Sequence, residues 1–182
     1  PVDISAFALN DLSVRLKKEL PTLKVETLHA EYFSALESLD KKKKKVILFL
    51  GSNLGNMLDH IAHSFMMQLA DKMNRGDMLL LGLDLIKPAN IIKAAYNDQT
   101  GFTKAFNLNL LSRINKELSA DFNLDFWEHA PKYDEEKGMA LSYLKSTKKQ
   151  TVNVGVLNKS FDFENGELIH TEISRKYNEQ II

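Results

Sequence analysis

The chain has no cysteine among its 182 residues. This excludes disulfides, thiolate metal sites and cysteine nucleophiles, and it agrees with the cytoplasmic location that we expect. No apolar run approaches the roughly 18 residues that a membrane span needs, so no membrane partner is expected. An excess of one charge is also missing, since Lys plus Arg and Asp plus Glu both total 24. A nucleic-acid partner held by bulk electrostatics is therefore not expected either.

Residue spacings that identify several enzyme classes are missing too. His60 and His63 are three residues apart in a predicted helix, but no third ligand accompanies them, so we expect no metal site. Ser52 lacks the Gly-x-Ser-x-Gly setting of a hydrolase nucleophile, because Leu54 stands two residues after it. A dinucleotide glycine fingerprint is also absent, which disfavours a dehydrogenase.

The most informative stretch is an apolar run followed by a polar, glycine-containing turn. Val46–Leu50 predicts a strand buried on both faces, and Met57–Met73 has helical periodicity. The Gly-Ser-Asn-Leu-Gly-Asn turn between them would lie at the carboxyl end of a parallel strand, where open α/β sheets bind ligands. Its glycines, Gly51 and Gly55, would let a ligand approach the backbone. Asn56 would either give directed hydrogen bonds to a ligand or cap the helix, and the sequence leaves both roles open.

The first half of the chain alternates strands and helices. Ser5 is placed to cap the first helix, which Pro21 ends. The run Lys41–Lys45 is interpreted as a solvated loop or as gatekeeper charges beside an aggregation-prone strand, in preference to a nucleic-acid site. The order predicts an α/β fold with a doubly wound parallel sheet. Its strands are predicted at Pro1–Ile4, Leu23–Leu28, Val46–Leu50 and Met78–Asp84, and its later helices at Glu31–Leu39 and Met57–Met73.

The pattern changes after Pro88. A long helix is predicted at Phe102–Leu118, with Phe106 on its apolar side. Three strands follow, and Asn165-Gly166 is a hairpin-type turn between two of them. We therefore expect residues 1–87 to form the core of the fold and residues 88–182 to form an α+β lobe with antiparallel strands. The predicted strands are Met139–Ser146, Gln150–Leu157 and Glu167–Ser174.

Acidic residues stand at the ends of two predicted strands. Asp3 has the position and charge to accept hydrogen bonds from a ribose diol. Glu31 could contact an adenine amine, with Tyr32 against the ring. Acidic residues at strand ends are common in α/β proteins, so a purely structural role is the alternative.

Five segments, in the same order, resemble the histidine-specific, S-adenosylmethionine-dependent methyltransferase family. The resemblance extends from Pro1 to Tyr177 and implies methyl transfer from the cofactor sulfonium to the α-amino nitrogen of an amino acid. The cofactor is S-adenosylmethionine, and no metal is implied. The segments are Phe49–Asn56, Leu80–Lys87, Ala95–Gly101, Phe106–Asn115 and Thr171–Tyr177.

The resemblance also implies roles for individual residues. It puts Asp3 on the cofactor ribose and Glu31 with Tyr32 near the adenine. Asn56 and Tyr96 would hold the substrate carboxylate, and Glu172 and Ser174 would hold its imidazole. The alternatives are that Tyr96 only packs between lobes and that Glu172 is a solvated strand residue.

Two departures from the family pattern qualify this expectation. The family begins with an upstream strand and glycine-rich loop, so we expect this chain to be a fragment that binds cofactor poorly. Surface exposed by such truncation is expected to favour dimers. The family usually has Met where Ser142 stands, and relatives act on other aromatic amino acids. An enzyme for another aromatic amino acid and an inactive binding domain therefore stay as alternatives.

Overall fold

The computed structural model describes residues 1–40 and 42–180, which fall into two compact units. The first unit comprises Pro1–Leu48 with Asp59–Leu80, and the second comprises Phe49–Leu58 with Leu81–Ile182. The prediction for Lys41, at the start of the lysine run, lies outside the described residues. The expected division at residues 87 and 88 stays a prediction.

Short strands and amphipathic helices alternate through the first 81 residues. Ser5 Oγ accepts a hydrogen bond of 3.2 Å from Ala8 N, so it caps the first helix as predicted. The bounds are β1 Val2–Asp3, α1 Ala6–Glu19, β2 Leu28–His29, α2 Tyr32–Glu37, β3 Val46–Phe49, α3 Asp59–Lys72 and β4 Met78–Leu81.

These strands form two separate parallel pairs. In the first pair, Val2 lies opposite Leu28 and Asp3 lies opposite His29. In the second, Met78 N donates to Lys45 O at 3.1 Å and Gly82 N donates to Phe49 O at 2.9 Å. The offset between donor and acceptor is the same at both ends, so β3 and β4 are parallel. The parallel order agrees with the sequence, whereas one continuous doubly wound sheet stays a prediction.

Two predictions about these strands are wrong. The strand expected at Leu23–Leu28 is confined to Leu28–His29. The expected burial of β3 and β4 on both faces also fails, because Leu48 is 61% exposed and Leu80 is 55% exposed. Alternate residues of both strands are partly covered, so the described chain covers one face of this pair and leaves the other face to solvent.

The core of the first unit is aromatic and aliphatic. Phe65 of α3 packs edge-on against Phe33 of α2, with ring centroids 5.6 Å apart. The lysine run departs from its prediction at Lys45, whose side chain is only 14% exposed. Its Nζ lies 2.7 Å from Asp77 Oδ2, so this lysine is held in an ion pair rather than solvated.

The described residues of the second unit form two α-helices and two antiparallel sheets. The bounds are α4 Ala89–Tyr96, α5 Phe102–Leu118, β5 Trp127–His129, β6 Lys132–Asp134, β7 Met139–Ser146, β8 Gln150–Val154, β9 Lys159–Phe163 and β10 Leu168–Arg175. Strands β10, β7 and β5 are neighbours in that order, β6 also pairs with β7, and β8 pairs with β9.

The antiparallel strands of this unit are confirmed, with one rearrangement. The predicted turn at Asn165-Gly166 exists, but it connects β9 to β10, which do not pair with each other. Strand β9 was not predicted, and it pairs back onto β8. The turn therefore joins two sheets instead of closing a hairpin.

Helix α5 and strand β7 meet in the core of the second unit. Leu111 of α5 and Leu144 of β7 are both fully buried there, with Phe122, Trp127 and Val152. Phe106, predicted on the apolar side of α5, is 73% exposed. The side of α5 that turns inward carries Asn107 and Leu111 instead.

Candidate functional site

Asp3, Glu31 and Tyr32 line one open pocket of the first unit. Ile4 and Ala30 complete the lining, and the pocket volume is about 310 Å³. Asp3 ends β1 and Glu31 follows β2, and the parallel pairing of these strands puts both residues at the same edge. Three residues predicted to contact the cofactor are therefore brought together.

The carboxylate of Asp3 is oriented by its own chain. Its Oδ1 accepts a hydrogen bond of 2.7 Å from Ser5 N. Burial raises the pKa of the Tyr32 phenol, and the nearby negative charge of Asp3 raises it further. Oδ2 of Asp3 has no hydrogen-bond partner in the described part of the chain, so it is available to accept from a ligand hydroxyl.

Gly51 and Asn56 belong to the second unit, in the turn after β3. Gly51 has φ 80° and Ser52 has φ 58°, so two successive left-handed residues reverse the chain there. A short helical turn, Asn53–Asn56, follows. Helix α3 begins at Asp59, three residues after Asn56, so the interpretation of Asn56 as its cap is wrong. Its exposed side chain makes no hydrogen bond within residues 1–40 and 42–180.

Gly55 allows the helical turn Asn53–Asn56 to lie against β10. A Cβ atom at this position would lie 2.7 Å from Arg175 O, which is closer than real Cβ atoms approach. The second glycine of the turn thus accommodates a neighbouring strand, where the sequence suggested room for a ligand. The contact places Asn56 next to the strand that carries Glu172 and Ser174.

A β-bulge determines which side chains of β10 face inward. His170 pairs with Tyr143 and Glu172 pairs with Ser142, so two steps along β10 match one step along β7. The hydroxyl of Thr171, the extra residue, donates to Ser142 O at 2.9 Å. His170 and Glu172 consequently point to opposite faces of the sheet, although simple alternation would put them on the same face.

The bulge brings the two predicted imidazole contacts to the buried face of β7. Ser174 lies opposite Ala140, and Glu172 lies opposite Ser142. Ser174 is 6% exposed and Ser142 is 3% exposed, while Glu172 is half-buried. The interpretation of Glu172 as a fully solvated strand residue does not fit this position.

Lys176 joins Ser174 to Tyr96. Its Nζ donates to Tyr96 Oη at 2.7 Å and to Ser174 Oγ at 2.9 Å, and it lies 2.9 Å from Asp84 Oδ2. Its side chain is only 3% exposed. An ammonium has three N–H groups, so this buried cation has all of its donors engaged.

The electrostatics of this cluster keep both charges in place. Burial lowers the pKa of Lys176, but the hydrogen bonds with Tyr96 and Asp84 outweigh this effect and its pKa lies above the ordinary value. Burial raises the pKa of Asp84, whereas hydrogen bonds from Lys87 and Lys176 hold it below its usual value. Asp84 and Lys176 are therefore an ion pair at neutral pH.

A histidine, His129, forms a hydrogen bond with the backbone of Tyr96. Asn107 Nδ2 donates to His129 Nδ1 at 2.8 Å and to Tyr143 O at 3.0 Å. Because Nδ1 accepts, the ring proton of His129 is on Nε2, which donates to Tyr96 O at 2.8 Å. This carbonyl ends α4 and has no helical partner of its own.

Tyr96 also lines an open pocket of about 220 Å³ in the second unit. Tyr133 and Lys93 lie on its wall, and Ile92 and Ala140 supply apolar surface. The pocket has room for a small molecule beside the Tyr96 ring. It does not include Asn56, Glu172 or Ser174 in its lining.

Four residues of this cluster and its surroundings were not predicted from the sequence: Asp84, Asn107, His129 and Lys176. All but His129 lie inside the five family segments, so their position was visible but their role was not. Asn107 carried a signal, because it is four residues before Leu111 on the inward side of α5. Lys176 is two residues after Ser174, but nothing in the sequence distinguishes it from a surface lysine.

The described residues contain no helix that is both long and apolar enough to span a membrane. In the same described part of the chain, no three His, Cys, Asp or Glu residues are grouped so as to hold a metal ion.

Comparison with known proteins identifies the class of protein to which the chain belongs. The chain belongs to the family of histidine-specific, S-adenosylmethionine-dependent methyltransferases, whose model matches residues 1–182. The resemblance stated from the sequence is thereby confirmed.

Individual relatives point the same way. The chain is 34% identical over 177 residues to Histidine N-alpha-methyltransferase of Mycolicibacterium smegmatis, covering 97% of this chain and 55% of the relative. It is 32% identical over 182 residues to the protein of the same name from Mycobacterium tuberculosis, covering 100% of this chain and 57% of the relative. Ergothioneine biosynthesis protein 1 of Schizosaccharomyces pombe is 28% identical over 193 residues, covering 98% of this chain and 25% of the relative. The chain spans about half the length of the first two of these relatives.

Proposed function

We propose that the full-length protein transfers a methyl group from S-adenosylmethionine to the α-amino nitrogen of histidine. The observation that carries this proposal is the cluster in which Lys176 binds both Tyr96 and Ser174, within a chain of the histidine-specific family. Two residues expected to hold opposite ends of the substrate are thus connected through one buried cation.

The proposed substrate contacts are chemically matched. Asn56 and Tyr96 donate hydrogen bonds to the substrate carboxylate, and Glu172 and Ser174 bind the two ring nitrogens of the imidazole. A substrate held at both ends leaves its amine directed at the methyl group. Catalysis then rests mainly on proximity and alignment, with the amine deprotonated before attack.

Three of the proposed cofactor contacts, Asp3, Glu31 and Tyr32, line the pocket at the ends of β1 and β2. Asp3 accepts hydrogen bonds from the ribose diol through its unpartnered oxygen, and Glu31 accepts from the adenine amine while Tyr32 packs on the ring. Gly51 lets the cofactor approach the backbone in the turn after β3. S-adenosylmethionine supplies the methyl group as a sulfonium, and no metal is needed.

Other finer features belong to the same proposal. In the full-length protein, β1 to β4 contribute to a doubly wound, Rossmann-like sheet, with residues 1–87 as part of the cofactor-binding core. Residues 88–182 form the substrate lobe. The protein is proposed to act in the cytoplasm on a free amino acid, without nucleic-acid or membrane partners.

The test is calorimetric titration of the full-length protein with histidine, tryptophan and tyrosine in the presence of S-adenosylhomocysteine, the demethylated cofactor. Tight binding of histidine that is lost in Glu172→Ala is the expected result. The matched control is Glu128→Ala, which removes an exposed glutamate from β5 and should leave binding unchanged.

Other outcomes would redirect the proposal. Binding of tryptophan or tyrosine in place of histidine would assign the enzyme to another aromatic amino acid, a choice to which Ser142, opposite Glu172, is relevant. Binding of an amino acid without any methyl transfer would identify an inactive binding domain.

A further inference from the structure

We propose that Lys176 is a positioning residue that turns the hydroxyl hydrogens of Tyr96 and Ser174 towards the substrate, and so favours an imidazole over an indole. The inference rests on the proposed function, since it concerns the same site. It adds a residue that contacts no substrate itself and acts through two that do.

The ammonium group of Lys176 determines which atoms of the two hydroxyls are occupied. Lys176 Nζ can only donate hydrogen bonds, so Tyr96 Oη and Ser174 Oγ must both accept from it. Each hydroxyl then has its own hydrogen free to point elsewhere. Neither hydroxyl has an acceptor among the described residues, so both remain available as donors to a ligand.

Lys176 also strengthens each hydroxyl as a hydrogen-bond donor. A hydroxyl oxygen that accepts from a cation becomes a better donor through its own hydrogen, because successive hydrogen bonds polarise one another. Lys176 is 3% exposed, so water does not compete for these bonds. Asp84 balances its charge, and this allows the ammonium to stay protonated in the interior.

The two oriented hydroxyls match the groups of the proposed substrate. Tyr96 as a fixed donor suits a carboxylate. Ser174 as a fixed donor suits the unprotonated ring nitrogen of a neutral imidazole, while Glu172 accepts from the other ring nitrogen. An indole has one N–H and no acceptor nitrogen, so with tryptophan the hydrogen of the Ser174 hydroxyl would be buried without an acceptor.

A double variant separates positioning from stability. Lys176→Met alone would take from the partly buried Asp84 carboxylate one of its two cations and leave only Lys87, so Lys176→Met is combined with Asp84→Asn. The matched control is Lys45→Met with Asp77→Asn, which removes another shielded Lys–Asp pair, in the first unit. The full-length proteins are titrated with histidine and with tryptophan in the presence of S-adenosylhomocysteine, and thermal unfolding is recorded for each.

The expected result is that histidine binds about tenfold more weakly to the Lys176 and Asp84 variant, as for the loss of one well-oriented hydrogen bond. Tryptophan should lose less affinity, so the preference for histidine narrows. The control should keep the preference of the unmodified protein. Adding Tyr96→Phe should weaken histidine binding less in the double variant than in the unmodified protein, because its hydroxyl is no longer oriented.

Contrary results are equally specific. A folded double variant with unchanged histidine affinity and preference would overturn the inference and leave the proposed function standing. An equal loss for histidine and tryptophan would also overturn it, because a merely structural role predicts that pattern. If the unmodified protein binds no histidine, the proposed function fails and the inference fails with it. Should the double variant not fold, Lys176→Gln, which keeps an amide donor, is titrated instead. The ratio of its histidine affinity to its tryptophan affinity is then compared with that of the unmodified protein.

Discussion

Gly55 offers a sharp test of how the substrate site is assembled. In Gly55→Ala the new methyl group would lie 2.7 Å from Arg175 O and 3.2 Å from Arg175 N. Ordinary carbon contacts are about 3.5 Å or more, so one side has to move by about 0.5 to 1 Å. Arg175 is paired with Met139 in the sheet, which leaves the helical turn Asn53–Asn56 as the part that moves.

The size of the effect follows from this displacement. Overpacking of this kind typically costs about 1 to 3 kcal/mol in the free energy of unfolding. Gly55 is not among the positive-φ glycines, so backbone strain does not add to this cost. Asn56 moves with the turn, and a displacement approaching 1 Å can cost about 100-fold in function. We expect histidine affinity to fall by about 10-fold to 100-fold in the full-length protein.

The assay pairs thermal unfolding with calorimetric titration of histidine. Gly166→Ala is the control, because Gly166 has φ 86° and nothing within 4 Å of an added Cβ. It should lose about 1 kcal/mol of stability through backbone strain and keep its histidine affinity. Unchanged histidine affinity in Gly55→Ala would refute the argument that this glycine positions Asn56.

Three further predictions concern the core, pH and Tyr96. Leu144→Ala, at a residue with no exposed surface, should lower the free energy of unfolding by about 2 to 5 kcal/mol in denaturant titrations. Hydrogen bonds from Asn74 N and from Lys45 lower the pKa of Asp77 from 3.8 to about 2. Its stabilisation is therefore complete above the unfolded pKa and lost as the pH falls through the folded value, and Asp77→Asn should flatten acid unfolding there. His129→Phe should weaken histidine binding several-fold by releasing Tyr96 O, whereas His60→Phe, at an exposed position of α3, should not.

Local sequence signals predicted the helices and several strands well. Helix α5 runs from Phe102 to Leu118 and strand β7 from Met139 to Ser146, as their periodicity predicts. These elements carry a repeating apolar pattern over many residues, which is the strongest signal in a sequence. Strand β9 was missed because its buried pattern is weak, since four of its five residues are exposed.

Burial was predicted less well, because it depends on what covers each face. Five consecutive apolar residues at Val46–Leu50 suggested a strand covered on both sides, yet Leu48 is exposed. The pattern correctly indicates a strand, since β3 runs from Val46 to Phe49. Whether both faces are covered depends on other segments, which the strand's own sequence does not specify.

The bulge in β10 limits any prediction of the site from alternation alone. Ile169 packs against the core cluster around Leu144, and Glu172 is three residues further along. In a regular strand, residues three apart face opposite sides. Thr171 shifts the register, so an apolar core residue and the polar residues Glu172 and Ser174 share one face. A sequence shows the residues but not the extra step that reverses their direction.

The ion pair of Lys176 and Asp84 is the feature of the site that is hardest to predict from the sequence. Tyr96 and Lys176 are 80 residues apart, and each is ordinary in its own segment. With Lys plus Arg and Asp plus Glu at 24 each, charge balance does not indicate which lysine is buried. Burial of a lone ammonium is costly, so Lys176 can lie inside only because Asp84, Tyr96 and Ser174 arrive there together. The assembly therefore depends on two long-range contacts, of Lys176 with Asp84 and with Tyr96, and on one local contact with Ser174. The orientation of the two hydroxyls follows from these contacts.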